Sequence, residues 1–333
     1  MTTATANSLD IKKLFHNAVA WDNHLCMPLR ANDEFLPQLD ICQKAGLSVV
    51  SLNVGFGEMD WIEHLKIITF FRAWISRHAD KYVMVRTVDD IGRAKREGKL
   101  AVTFDVEGML PVEDDLDRIQ LFYDLGVRWM LIAYNSTNKI GGGCQDDDPG
   151  LSDLGRRVID EMARVGMVLC LSHTGHRTAR DALEYSKKPV IFSHSNPAAL
   201  HQHPRNIPDD LMEACARTGG VVGINGVGKF LGDDSASPAA VVWHVDYAVS
   251  RIGVDHVGLS LDSVFDEQEL IDFVKANPDK FPPHLGYGAN FAITKPDKYP
   301  EIAEGLVKLG YSEADMMKIL GGNWLRVAEE VWK

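Results

Sequence analysis

The stretch LSHTGHRTARDALEYSKKPVIFSHSNPAALHQHPRN, residues 171–206, decides the fold. Two short apolar runs, MVLCL (167–171) and PVIF (189–192), are each followed at once by Ser-His, which places His173 and His194 just past two equivalent strand ends. Between them, RTARDALEYSKK has helical spacing and ends in two lysines, suited to a helix C-terminus. Strand, helix and strand in this order form the building block of parallel α/β folds. Such sheets present their functional groups at the carboxyl ends of the strands. Two imidazoles delivered there in parallel suit a metal site, although one histidine alone would more often be a satisfied turn residue.

Working outward, similar apolar runs recur along the chain: 18–21, 47–54, 100–106, 127–134, 167–172, 189–193, 220–224 and 256–261. Stretches of helical character fall between them, several closed by glycine, as a helix C-cap requires. Eight strands alternating with helices over 333 residues predict a single α/β domain, a (β/α)8 barrel, in preference to a doubly wound sheet. Residues 264–300, with five prolines, read as a long irregular loop after strand eight. The last stretch, YSEADMMKILGGNWLRVAEEVW, reads as helices packed outside the barrel and interrupted at Gly321-Gly322.

Composition narrows the function. A formal charge of −12 argues against a nucleic-acid surface, since phosphate binding needs a basic footprint. No apolar run is long enough for a membrane span, and the first residues lack a basic start followed by an apolar core. Five scattered cysteines suit reduced thiols, so a cytoplasmic protein is expected. A small-molecule substrate and a homo-oligomer are the partners expected. No glycine-rich phosphate loop is present.

The strand ends then converge. Strand one runs into Asp22-Asn23-His24-Leu25-Cys26, and strand three ends in Phe104-Asp105-Val106-Glu107. Strand four ends in Tyr134-Asn135, five in His173, six in His194 and eight in Asp262. Imidazole, carboxylate and thiol on one rim are the groups that zinc takes. His16, His64 and His78 read as surface residues on helices, His244 as a helix residue that caps, pairs with Asp246 or is buried, and His256 as an opposite-end residue, whereas His201 and His203 lie near the rim.

At these residues the chain resembles the membrane (renal) dipeptidase family, peptidase family M19, within the amidohydrolase superfamily. The resemblance is carried by the paired Ser-His segment, FDVEGM, TGGVVGIN, HVDYAVSRIGVDHVGLSLD and GGNWLRV. It implies a distorted TIM-like barrel with two zinc ions, a metal-bound hydroxide attacking the amide of a dipeptide or N-acyl amino acid. By that likeness His24 holds the first zinc, Glu107 bridges both, and His173 and His194 hold the second. Asp262 is then the acid/base, and Arg205 takes the substrate carboxylate. Two positions depart from the family. Its His-x-Asp after strand one is here His24 and Cys26, so one zinc in place of two is the alternative. Where many members carry a histidine after strand four, this chain has Tyr134, whose phenol can donate to the same oxyanion. A mononuclear-zinc lactonase, deaminase or decarboxylase, or a non-catalytic binding barrel, are the rival readings.

Overall fold

The computed structural model describes residues 9–288 and 291–333. Ten strands occur in chain order: β1 Trp21–Cys26, β2 Val49–Phe56, β3 Tyr82–Met84, β4 Leu100–Glu107, β5 Val127–Leu131, β6 Val168–Cys170, β7 Val190–Ile191, β8 Val222–Ile224, β9 Val257–Leu259 and β10 Ser263–Val264. All pair in parallel. The ladder runs β10-β1-β2-β4-β5-β6-β7. A single parallel bridge, Phe192 to Val222, carries it to β8 and hence to β9. Residues 260–262 join β9 to β10, which lies on β1 through Leu25↔Ser263 and Cys26↔Val264, so the ring closes. This is a TIM-like barrel, distorted where β7 to β9 are reduced to two or three residues.

Each of the eight expected strands has a counterpart, with three differences. The first lies over Trp21–Cys26, later than the apolar run 18–21, because beyond Trp21 it continues through the buried polar residues Asp22, Asn23 and His24. β3 and the two-residue β10 are additional: β3 borders the first half of β4, at Leu100–Val102, while β5 takes the second half. The fourth expected strand stops at Leu131, leaving Tyr134 in the turn beyond it.

Helices cover the outside because strand residues alternate faces. Val50, Leu52, Val54, Val102, Phe104 and Val106 point outward into the main core against helices such as Trp61–Arg77, whose start is fixed by the Asp60–Glu63 capping box. Inward-facing Trp21, Val49, Ala101, Trp129, Val168 and Ile191 form a second apolar cluster with Trp324, Val327 and Val331. The final helix, Asn323–Val331, therefore plugs the N-terminal mouth of the barrel and does not simply lie on its outside. Trp324 donates its indole N–H to the Leu259 carbonyl at 3.2 Å. A Cβ on Gly258 would sit 2.6 Å from that ring, which is why a glycine stands there.

Residues 264–300 are also more ordered than an irregular loop. They contain a helix, Glu267–Ala276, and short helical turns at Pro283–Leu285 and Pro296–Lys298. Proline flanks these pieces and hides their periodicity. Among the described residues no helix is long and apolar enough to cross a membrane.

Candidate active site

The barrel interior is layered. Above the apolar floor lies a hydroxyl-amide layer in which Ser51 Oγ meets Thr103 Oγ1 at 2.7 Å and donates to Asn23 Oδ1 at 2.9 Å. The next layer, at the strand carboxyl ends, is ionisable. His24 and Cys26 project from β1 and Glu107 from the end of β4. His173, His194 and Asp262 follow β6, β7 and β9 by three residues each. His173 and Asp262 reach inward only by adopting left-handed backbone, with φ of 62° and 57°, as does Asn135 at 59°. A non-glycine residue there costs about 1 kcal/mol or more, and such strain concentrates at functional sites.

The six side chains converge on one point. Glu107 Oε1 lies 3.2 Å from His173 Nε2, 3.2 Å from His194 Nε2 and 3.6 Å from His24 Nε2. None of these is aligned as a hydrogen bond, and Oε1 is buried with no donor. The two Nε2 atoms of His173 and His194 face each other at 3.0 Å. Cys26 Sγ is 3.4 Å from His24 Nε2 and 3.5 Å from Asp262 Oδ1. Donor atoms of His24, Glu107 and His194 lie within 4.8 Å of one another, and so do those of His24, Cys26 and Asp262. Asp262 is thus within reach of the same point as the other donors.

The far side of each imidazole is held. His24 Nδ1 lies 3.1 Å from Asp105 Oδ1, and His173 Nδ1 lies 2.7 Å from Asn135 Oδ1. Both partners are acceptors, so each Nδ1 carries the proton and Nε2 points into the cluster. The serines of the repeated Ser-His serve His194: Ser193 Oγ is 2.8 Å from its Nδ1, and Ser172 Oγ accepts its backbone N–H at 3.0 Å. Asn225 donates to Asp262 Oδ2 at 2.9 Å, and Asn53 donates to Asp105 at 3.1 Å. Of these supports, Asp105 and Asn135 stand in the strand-end strings themselves. Asn53 and Asn225 had no sequence signal beyond their place at strand ends.

The electrostatics call for a cation. Burial pushes the Glu107 carboxyl up to about 8, against the pull of His24. Burial also pushes His173 and His194 well below their ordinary value, with Arg205 and His24 adding to it for both. They are neutral imidazoles, the form that binds metal. For His24, burial works downward but is outweighed by Cys26, Glu107 and Asp105, which hold the ring well above its ordinary value. Burial, aided by Asp262, pushes the Cys26 thiol up to about 12 despite His24. A lone-pair cluster around an orphaned carboxylate oxygen fits a divalent cation, which satisfies every one of these groups at once.

Tyr134 stacks on His173 with ring centroids 4.3 Å apart. Burial, then Glu107 and Asp262, hold its phenol well above the ordinary value, so its O–H stays available to donate. Arg205 is 2% exposed; its Nη2 donates to the His194 carbonyl at 3.3 Å, while Nε and Nη1 have no partner. His203 is not a ligand. It accepts the Arg205 N–H at 3.0 Å through Nδ1 and donates through Nε2 to the Leu285 carbonyl at 2.9 Å. His201 likewise stays outside the cluster, packed below Gly232.

A parallel α/β barrel whose strand ends gather imidazole and carboxylate donors around an orphaned oxygen defines a metal-dependent hydrolase of amidohydrolase type. The family model for membrane dipeptidase, peptidase family M19, matches residues 56–269, and the chain belongs to this family of metallo-dipeptidases. The dipeptidase tcpJ of Claviceps purpurea is 28% identical over 99% of this chain and 71% of its own length. The dipeptidase verJ of Clonostachys rogersoniana is 31% identical over 79% of this chain and 64% of its own length. Among solved structures, an amidohydrolase from Pseudomonas aeruginosa superposes with a TM-score of 0.87 at 28% identity, covering 97% of this chain and 99% of that one.

Proposed function

We propose that the chain is a zinc-dependent hydrolase of dipeptides or N-acyl amino acids, working as one barrel domain in the cytoplasm. The observation that carries this is Glu107 Oε1, buried without a donor and faced by three imidazole Nε2 atoms within 3.6 Å. His24 and Cys26 would hold one zinc, His173 and His194 a second, and Glu107 would reach both. Zinc supplies Lewis acidity there and lowers the pKa of a water molecule toward neutrality.

The protein's own groups do the rest. Arg205 takes the free carboxylate of the substrate with the two N–H groups that have no other partner, a charge-assisted fork. That contact sets the scissile amide beside the imidazole cluster. The Tyr134 hydroxyl donates to the carbonyl oxygen as it gains charge. Asp262, steadied by Asn225, takes the proton of the attacking water and returns it to the leaving amine. Burial would raise its carboxyl, but the hydrogen bond and charge of His24, with the charge of Arg205, hold it below the usual carboxylate range, so it starts ionised. Five free thiols support a reducing compartment.

The test is a substrate panel on the zinc-loaded protein. Release of free amino acids from dipeptides or N-acyl amino acids is the expected result. Turnover confined to lactones or nucleobases would assign the site to another reaction.

A further inference from the structure

The ligand cluster and the Arg205 guanidinium are joined by an unbroken run of aromatic rings. Tyr134, stacked on His173, lies 5.2 Å from Phe56, and Phe56 meets Phe273 edge-on at 5.4 Å. The run continues through Phe281 to Tyr287 at 5.6 and 5.4 Å, then to Phe230 at 6.2 Å, over which Arg205 sits at 5.2 Å. Its two ends differ. Phe230 and Tyr287, beside Arg205, are buried at 5% and 4% exposure and packed into a closed cluster. Tyr134, stacked on His173, and Phe56 and Phe273 beyond it are only half-buried.

On the reading given above, Arg205 holds the carboxylate of the C-terminal residue. The open rings therefore stand at the other end of the substrate, beside its N-terminal residue. We infer that Phe56, Tyr134 and Phe273 form the wall of the pocket for that residue, and that the enzyme prefers dipeptides with a large apolar N-terminal side chain.

The wall is built in advance. The segment carrying Phe273 is tied to the loop after β1 by Arg30–Asp266 at 2.6 Å and to the loop after β2 by Lys280–Glu58 at 2.7 Å. Gln145 adds a hydrogen bond to the Tyr287 hydroxyl at 3.0 Å. These pairs fix the Phe56–Phe273 contact, and they also occupy the nearby charges with one another. An anionic substrate side chain meets three electron-rich ring surfaces there and loses its water without gaining a partner. An apolar one gains buried contact area against aromatic walls.

Because the inference rests on dipeptide hydrolysis, one experiment separates the two. The zinc-loaded protein is assayed for kcat/KM on Phe-Gly, Leu-Gly, Ala-Gly, Asp-Gly and Lys-Gly, first as wild-type and then as Phe273→Ala. The expected wild-type result is Phe-Gly and Leu-Gly at least ~10-fold above Asp-Gly, within the range one apolar pocket contact provides, with Lys-Gly between them because ring faces offer its ammonium a cation–π contact. Phe273→Ala should cut the Phe-Gly to Ala-Gly ratio by about tenfold. Should that variant misfold, Phe273→Leu replaces it, with a smaller fall in the same ratio. Equal turnover of all five peptides by wild-type overturns the inference and leaves the dipeptidase reading standing. So does an apolar preference that neither Phe273 variant changes. No turnover of any peptide sinks both.

Discussion

Asn135 Oδ1 accepts the Nδ1–H of His173 at 2.7 Å, and both residues adopt left-handed backbone to make that contact. The bond fixes which nitrogen of His173 carries the proton and aims the other at Glu107. Asn135 is thereby a positioning residue for His173, a proposed zinc ligand. Asn135→Gly keeps the left-handed backbone at no steric cost and removes only the side chain. Zinc affinity, read by competition with a chelator, should fall about 10- to 100-fold, the usual effect of losing a ligand's hydrogen-bond partner. Asn135→Asp, which keeps an acceptor, should restore most of it. Unchanged affinity in Asn135→Gly would remove this residue from the site.

Cys26 is one of the two positions that depart from the family pattern, and its Sγ lies within 3.5 Å of both His24 Nε2 and Asp262 Oδ1. If the thiolate is a ligand, wild-type should hold close to two zincs under reducing conditions, and Cys26→Ala close to one. Cobalt substitution should add a sulfur-to-metal charge-transfer band that Cys26→Asp abolishes. One zinc in both wild-type and Cys26→Ala would favour the mononuclear alternative.

Arg205 is buried with two free N–H donors, an arrangement that calls for an incoming anion. Amidating the substrate's carboxylate should lower kcat/KM by at least ~100-fold in wild-type, since a buried ionic hydrogen bond left unmade is costly. In Arg205→Ala the acid and the amide should be treated nearly alike. Equal losses in both proteins would contradict the assigned role.

Much of this site was readable before the fold. The two Ser-His turns announce themselves because an apolar run followed by polar residues marks the same point on each strand, and His24, Glu107 and Asp262 repeat that pattern. The supports were harder to see. Asn53 and Asn225 are polar residues near strand ends like many others, and only the closed ring brings them to Asp105 and Asp262. The extra strand Tyr82–Met84 escaped notice because it is three residues long and borders only half of β4. The helix Glu267–Ala276 was obscured by the proline-rich sequence that follows it. The aromatic wall joins residues more than two hundred positions apart, a relation that local periodicity does not carry.

His244 offers a test of the fold away from the metal ligands. It is 3% exposed, with Nε2 donating to the Leu231 carbonyl at 3.1 Å, and not paired with Asp246. Burial pushes its pKa down to about 4, with His201 adding slightly and the Leu231 carbonyl opposing. The unfolded chain therefore binds a proton near pH 6.5 that the folded chain refuses until about pH 4. Stability from this group is fully present above pH 6.5 and lost as pH falls through that window, by at most about 3 kcal/mol. In metal-free protein, His244→Gln should flatten the fall in denaturant midpoint between pH 6.5 and 4. A fall as steep as that of wild-type would show that other groups cause it.

The central claim is that the Glu107 cluster binds zinc and that this metal is required for peptide hydrolysis. Elemental analysis and dipeptide turnover, measured on one sample as purified, after chelation and after zinc is returned, test it together. The account predicts bound zinc at the start, loss of metal and of turnover in parallel on chelation, and return of both with zinc. Dipeptide hydrolysis that persists at full rate after the metal is gone would contradict it.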